Sequence, residues 1–284
     1  SGGPGQVEFA IDSDMLLDLG QLASLGENGV SVSTQPRDYK IWARGRITVL
    51  DGNRNGVDGE AGEVMFGVIN RFDGNIEIGA FGGFFASDVT TNTLGMDVET
   101  KSLRVGLYGN MLIGSGLKAG VSGTFENGEV DTERAGVTAD YGFTAYDLSA
   151  SLSGAIATEQ WIVVPTASAT ISHRSDDAHT DSGGLFIGSE QQTDGTLTGS
   201  VSVSRTFVVE SGGLQTVTPN FIVTGNAFLT DRGEQDTEHF ALTLGAGSSF
   251  GFGNGAFLTA TGSIGGFGQD TIGYTGQLRF TLPF

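Results

Sequence analysis

Two stretches of this chain carry side chains with the chemistry of a ligand or catalytic site. Asp51-Gly-Asn-Arg-Asn-Gly-Val-Asp-Gly-Glu60 matches the first six positions of an EF-hand calcium loop, D-x-N-x-N-G. The twelfth position, which supplies a bidentate Glu in such loops, is Gly62, and the flanks alternate like strands. The stretch therefore reads as an acidic hairpin loop, with weak calcium binding left open. The second stretch holds His173, Asp176, Asp177, His179 and Asp181, the ingredients of an acid–base site such as a surface protease uses. Acid–base work needs groups within hydrogen-bond reach and with perturbed pKa values, and one solvated acidic loop does not ensure that convergence. With no Cys there is no thiolate nucleophile or thiolate metal site, and the three His all sit near loop ends. No phosphate-cradling glycine loop occurs. No catalytic, cofactor or metal residue is assigned, and the expectation is a non-enzymatic protein.

The elements that position these loops are strands. Over 284 residues, 33 acids against 14 bases give a net charge of −19, which argues against a nucleic-acid partner because phosphate neutralisation needs Lys and Arg. Mean hydropathy is nevertheless near zero, so apolar residues are spread thinly and regularly. No run approaches the roughly 18 apolar residues of a spanning helix. No signal peptide opens the sequence, as expected of a mature fragment or a cytosolic protein, and Ser1-Gly-Gly-Pro-Gly5 reads as linker.

One helix is predicted, at 14–25, capped by Ser13 and carrying Asp14 and Asp18 near its positive end. Residues 1–38 thus form a linker and helix, and 39–284 a separate β domain. From Tyr39 the period is two. About twelve strands are predicted near 40–50, 61–71, 76–86, 98–112, 117–125, 143–156, 161–173, 196–209, 214–229, 238–250, 255–264 and 272–284. Leu103, Val105, Leu107 and Met111 oppose Arg104, Gly106, Tyr108 and Asn110. The terminal strand places Ile272, Tyr274, Leu278, Phe280, Leu282 and Phe284 on one face. Tight Gly/Asn/Asp/Ser turns alternate with long polar connections near 51–60, 87–97, 126–142, 174–195, 230–237 and 265–271. That is the layout of an up-and-down meander with all its short turns at one end. Residues 51–63, 126–140, 174–194 and 230–238 hold 18 acids against four arginines, so the long-loop rim is acidic.

Neither face of these strands reads as a dry core, because the polar one is Ser, Thr, Gly and Asn with scattered Arg and Asp. A closed all-β barrel with its apolar face in lipid and its polar face around water resolves this. Closure leaves no sheet edge in hydrocarbon, where each unpaired backbone group costs several kcal/mol. Trp161, Phe250, Phe257, Phe280 and Phe284 fall near strand ends, where interfacial girdles form. The fold expected is a transmembrane antiparallel up-and-down β-barrel of about twelve strands.

Several segments resemble the translocator domain of type Va autotransporters, secretion proteins of the Gram-negative outer membrane. They are Ile41-Trp-Ala-Arg-Gly-Arg46, Phe66-Gly-Val-Ile69, Asp73-Gly-Asn-Ile-Glu-Ile-Gly79, Gly82-Gly-Phe-Phe-Ala-Ser-Asp88, Val105-Gly-Leu-Tyr-Gly109 and Gly276-Gln-Leu-Arg-Phe-Thr-Leu-Pro-Phe284. The resemblance implies a twelve-stranded pore threaded by a helix and left after export of an N-terminal passenger. It also implies a terminal strand, with Leu278, Phe280, Leu282 and Phe284, that is read by the barrel-assembly machinery. Partners are then the bilayer with its lipopolysaccharide, that machinery and the passenger, with the barrel a monomer and its long acidic loops extracellular. Pro283 departs from the family pattern, and no Asn-Asn pair near the helix supports in-barrel cleavage. Independently of the family, Arg44, Arg46, Arg104 and Arg279 fall on polar strand faces, and Asp12, Asp14 and Asp18 accompany the helix. The expectation is that the arginines meet these acids in the lumen, the alternative being arginines that simply face pore water. Two other functions stay open: a stand-alone porin or adhesin with ligand-binding acidic loops, and the rim protease.

Overall fold

The computed structural model describes residues 39–52, 56–72, 75–113, 116–158, 160–211, 213–229, 240–269 and 271–283. The helix expected at 14–25, with Asp12, Asp14 and Asp18, lies outside them, as does Phe284. Twelve long strands occur: β1 (Tyr39–Gly52), β2 (Val57–Phe72), β3 (Ile76–Thr91), β4 (Met96–Ile113), β5 (Leu117–Arg134), β6 (Val137–Gly154), β8 (Ile162–Asp176), β11 (Glu190–Ser204), β13 (Leu214–Phe228), β14 (Phe240–Phe252), β15 (Phe257–Phe267) and β16 (Thr271–Pro283). Four short segments, β7 (Ile156–Ala157), β9 (His179–Thr180), β10 (Phe186–Ile187) and β12 (Phe207–Ser211), belong to the connections. Each long strand pairs antiparallel with the long strands next to it in sequence, and β16 pairs with β1, so the sheet closes. This is the expected twelve-stranded antiparallel barrel.

The barrel is inside out relative to a soluble domain. Leu107 and Phe84 are 66% and 67% exposed, whereas Arg44, Glu63, Arg104 and Glu126 are 5–8% exposed. Soluble monomers rarely expose a contiguous apolar patch beyond about 300–600 Å², and here the patch continues from strand to strand. On β4 the outward residues run apolar from Leu103 to Ile113 and then become Lys101, Glu99 and Asp97. At about 3.3 Å per residue and a tilt near 40°, that run spans about 25 Å of membrane thickness. Phe125 and Tyr146, cross-strand partners with centroids 5.2 Å apart, mark its long-loop margin.

The strands on one side continue past this margin, which corrects the sequence reading. Residues 126–142 are not a long loop: β5 and β6 run on to a two-residue turn at Ala135 and Gly136, with φ of 51° and 79°. Both values are positive, as a tight hairpin turn of this twist requires. Likewise 87–97 shrinks to a turn between β3 and β4. Beyond the hydrocarbon the outer face is free to be charged, and Glu60, Asp88, Glu99, Asp131 and Asp140 stand side by side across β2–β6. The inner face stays apolar there, where Val89, Val98, Val130 and Phe143 form a buried cluster. The strand expected at 196–209 instead ends at Ser204, and Phe207 begins β12.

Of the expected girdle residues, Trp161 and Phe280 are 46% and 44% exposed on the outer wall, and Phe250 follows the outward register. Phe257 does not belong to the girdle. It pairs with Thr281, a buried lumenal position, and its ring lies against Gly251 on the inside.

Candidate functional site

The lumenal wall is the part of the molecule whose side chains converge. Three inward positions of glycine each lie under an aromatic ring of the neighbouring strand. A Cβ on Gly67 would collide with Trp42, one on Gly79 with Tyr108, and one on Gly106 with Phe81. Each pair is directly opposed in the ladders β1–β2 and β3–β4. The missing side chains let Trp42, Phe81 and Tyr108 lie flat along the wall beside Met65 and Ile69 as one buried cluster, and the indole N–H of Trp42 donates to the Tyr108 hydroxyl at 3.0 Å. The aromatics of β3 are thereby sorted: Phe84 faces lipid, Phe81 covers Gly106, and Phe85 lies under the Arg104 guanidinium at 5.9 Å.

Toward the long-loop side of this cluster runs a chain of ion pairs. Arg44 on β1 donates to Glu63 on β2 at 2.7 Å, and Glu63 accepts from Arg104 on β4 through its other oxygen at 3.0 Å. Arg104 also pairs with Glu126 on β5 at 2.6 Å, and the Ser102 hydroxyl donates to that carboxylate. Every member is more than nine-tenths buried. The alternating sign matters, because an isolated buried charge is costly whereas a paired and hydrogen-bonded one is tolerated. A second group, Arg71, Glu77 and Lys118, ties β2, β3 and β5 at 2.7 and 3.2 Å. The opposite wall is different in kind, lined by small hydroxyl and amide groups that bond each other, as in Thr198 to Asn226 at 2.8 Å and Ser249 with Thr259 at 2.8 Å.

The four predicted arginines all occupy lumenal register. Arg44 and Arg104 share Glu63. Arg279 stands opposite Arg44, its guanidinium 5.3 Å from the Trp42 ring centroid. Arg46 is half-buried between Gln277 and Glu63 in the flanking ladders. Sequence reasoning missed Glu63 and Glu126 as their partners, having counted both only as rim acids. Their inward parity, two residues from Met65 and from Thr124, was the available signal. Leu278 and Phe280 face outward on β16, exposed at 58% and 44%.

Among the described residues, the two histidines of the second loop stretch have separate partners. His173 bonds Thr193 at 2.8 Å, whereas His179 stacks on Tyr141 with centroids 4.4 Å apart. Asp176 is held by Arg174 at 2.6 Å. In the calcium-like loop, one Asp58 oxygen accepts from the Gly52 amide at 2.7 Å and the other from Asn92 at 2.8 Å, so this carboxylate joins two connections. Among the described residues no group of three or more His, Asp or Glu is placed to hold a metal ion.

Residues 41–271 match the autotransporter beta-domain family. The chain belongs to that family. The beta domain of the Bordetella autotransporter BrkA superposes with a TM-score of 0.75 at 19% identity, over 87% of this chain and 100% of that one. The translocator domain of the autotransporter NalP from Neisseria meningitidis gives 0.70 at 16%, over 96% of each chain. The transport unit of the autotransporter AIDA-I from Escherichia coli gives 0.68 at 12%, over 94% and 97%. Among curated proteins no sequence matches significantly. The structural likenesses establish a shared fold, and the family match carries the function. This autotransporter barrel is an outer-membrane translocator domain of a Gram-negative bacterium, serving export of an N-terminal passenger. Translocator domains of this family are typically non-enzymatic.

Proposed function

We propose that this autotransporter barrel works without chemistry of its own, as a monomeric conduit stoppered by the helix at 14–25. The carrying observation is the buried Arg44–Glu63–Arg104–Glu126 chain inside a closed wall whose outside is apolar. A polar, hydrogen-bonding lumen hydrates an extended polypeptide, whose backbone N–H and C=O groups need partners throughout passage. The ion pairs brace the wall of β1–β5, while the Ser/Thr/Asn wall opposite offers short neutral side chains. In this reading Asp12, Asp14 and Asp18 approach the ring of Arg44, Arg46, Arg104 and Arg279 at the end of export and lodge the helix there. The strands that outrun the hydrocarbon, with their outward acids, face the cell exterior above the lipopolysaccharide, and the short turns face the periplasm. The terminal strand, with Leu278, Phe280, Leu282 and Phe284, is read by the barrel-assembly machinery.

Planar-bilayer recording tests the stopper. Deleting residues 1–37 is expected to raise single-channel conductance several-fold while the barrel still shows heat-modifiable mobility on gels. Unchanged conductance in a folded deletion variant would remove the helix from the lumen.

A further inference from the structure

The outer wall carries a charged side chain where hydrocarbon should forbid one. Ser204 is 2% exposed and faces the lumen, and the Thr206 hydroxyl bonds the lumenal Thr218 at 3.0 Å. Alternation turns Arg205, between them, to the outside. There its guanidinium lies 5.0 Å from the Phe207 ring centroid and 5.8 Å from that of Trp161. Phe207 pairs with Val217, and the register continues outward through Phe250, Leu258 and Phe280, the short-turn margin of the apolar belt. Trp161 is 46% and Phe207 44% exposed. Among the residues whose side chains are described, Arg205 is the only charged one on the outer wall in the short-turn half of the belt.

We propose that Arg205, held between Trp161 and Phe207, binds the phosphate of a phospholipid headgroup at the short-turn rim. Two rings fix the guanidinium by cation–π contact and leave its planar edge of N–H donors open. Aromatic side chains of this type settle at the level of lipid headgroups, and a base beside them reaches up from the acyl region to the interface. The anion at that depth is the headgroup phosphate, which guanidinium recognises in bidentate fashion. Against a net charge of −19, this base is a local exception on the short-turn half of the outer wall. The site would anchor the wall of β8, β11 and β13 at a fixed depth, opposite the acidic strands that leave the membrane on the other side.

Native mass spectrometry of the full chain, released from neutral detergent micelles, tests the site. Dioctanoyl-phosphatidylglycerol is expected to give one saturable adduct, half-saturating at about fivefold higher concentration in Arg205→Gln than in the parent chain. Dioctanoylglycerol, which lacks the phosphate, is expected to give no such adduct, and millimolar inorganic phosphate is expected not to displace the lipid. Equal titrations for the parent and Arg205→Gln would overturn the proposal, and displacement by inorganic phosphate would make this a free-anion site instead. Should Arg205→Gln fail to fold, the parent chain alone decides: equal half-saturation by the phosphatidylglycerol and the diacylglycerol would overturn it equally.

Discussion

Trp42 on β1 and Tyr108 on β4 touch through a hydrogen bond of 3.0 Å that bridges two intervening strands. The contact exists because Gly67 and Gly79 leave room for each ring to lie along the wall. Replacing Tyr108 with Phe keeps the ring and removes the bond, so it is expected to cost about 1 kcal/mol. Trp42→Ala removes the ring as well and is expected to cost about 3 kcal/mol. Urea unfolding in lipid vesicles, followed by tryptophan emission for the first variant and by gel mobility for the second, reads both. Equal losses would mean that the hydrogen bond, not the ring, holds the cluster.

Glycine at the foot of each ring makes a sharper demand. In Gly79→Ala the added methyl meets the Tyr108 ring, and the displaced ring must leave its rotamer. A cost of about 1–3 kcal/mol is expected, as for other overpacked sites, together with slower appearance of the folded band during refolding. Gly62→Ala is the control, since nothing lies within 4 Å of its added Cβ. Comparable losses in the two variants would refute the steric account.

Glu63 serves two arginines at once, so its loss should exceed that of Arg44. Glu63→Gln is expected to cost about 3 kcal/mol and Arg44→Gln less. A double-mutant cycle between them should return a coupling of about 1–2 kcal/mol. A coupling indistinguishable from zero would show that lumen water screens the pair.

The depth of the outer wall can be probed with a single charge. Leu107 lies at mid-belt on β4 and Leu117 at the short-turn margin of β5. Leu107→Arg is expected to destabilise the barrel in vesicles by about 2–4 kcal/mol, and Leu117→Arg by no more than about 1 kcal/mol. The reverse order would misplace the membrane.

Strand number, closure and facing were legible in the sequence because alternation depends only on parity. Arg44, Arg104 and Arg279 could be assigned to the lumen from the apolar residues on either side of each. The strand ends were not legible where the outer face changes solvent. On β5 the outward residues pass from Phe125 to Asn127, Glu129 and Asp131, so the hydropathy rhythm fades while the backbone ladder continues. The inward Val130, Tyr141 and Phe143 keep the period there. The ion-pair chain was hidden for another reason: Glu63 reaches Arg104 across the whole width of β3, and which residues stand level over three strands depends on register. Phe257 was misassigned because a strand-end aromatic can cover a glycine inside as well as meet an interface outside.

The β1–β16 ladder runs from Lys40 opposite Pro283 to Gly52 opposite Thr271, joining the two extremes of the barrel sequence. Hairpins between consecutive strands can form from local contacts, but this seam brings together partners of the greatest possible separation, whose loop-closure entropy is paid late. Until then the growing wall has two raw borders, each a row of N–H and C=O groups that oil cannot satisfy. Insertion ahead of circularisation would therefore strand both borders in hydrocarbon, and biogenesis of this cylinder calls for a surrogate edge that caps them until the ring is joined.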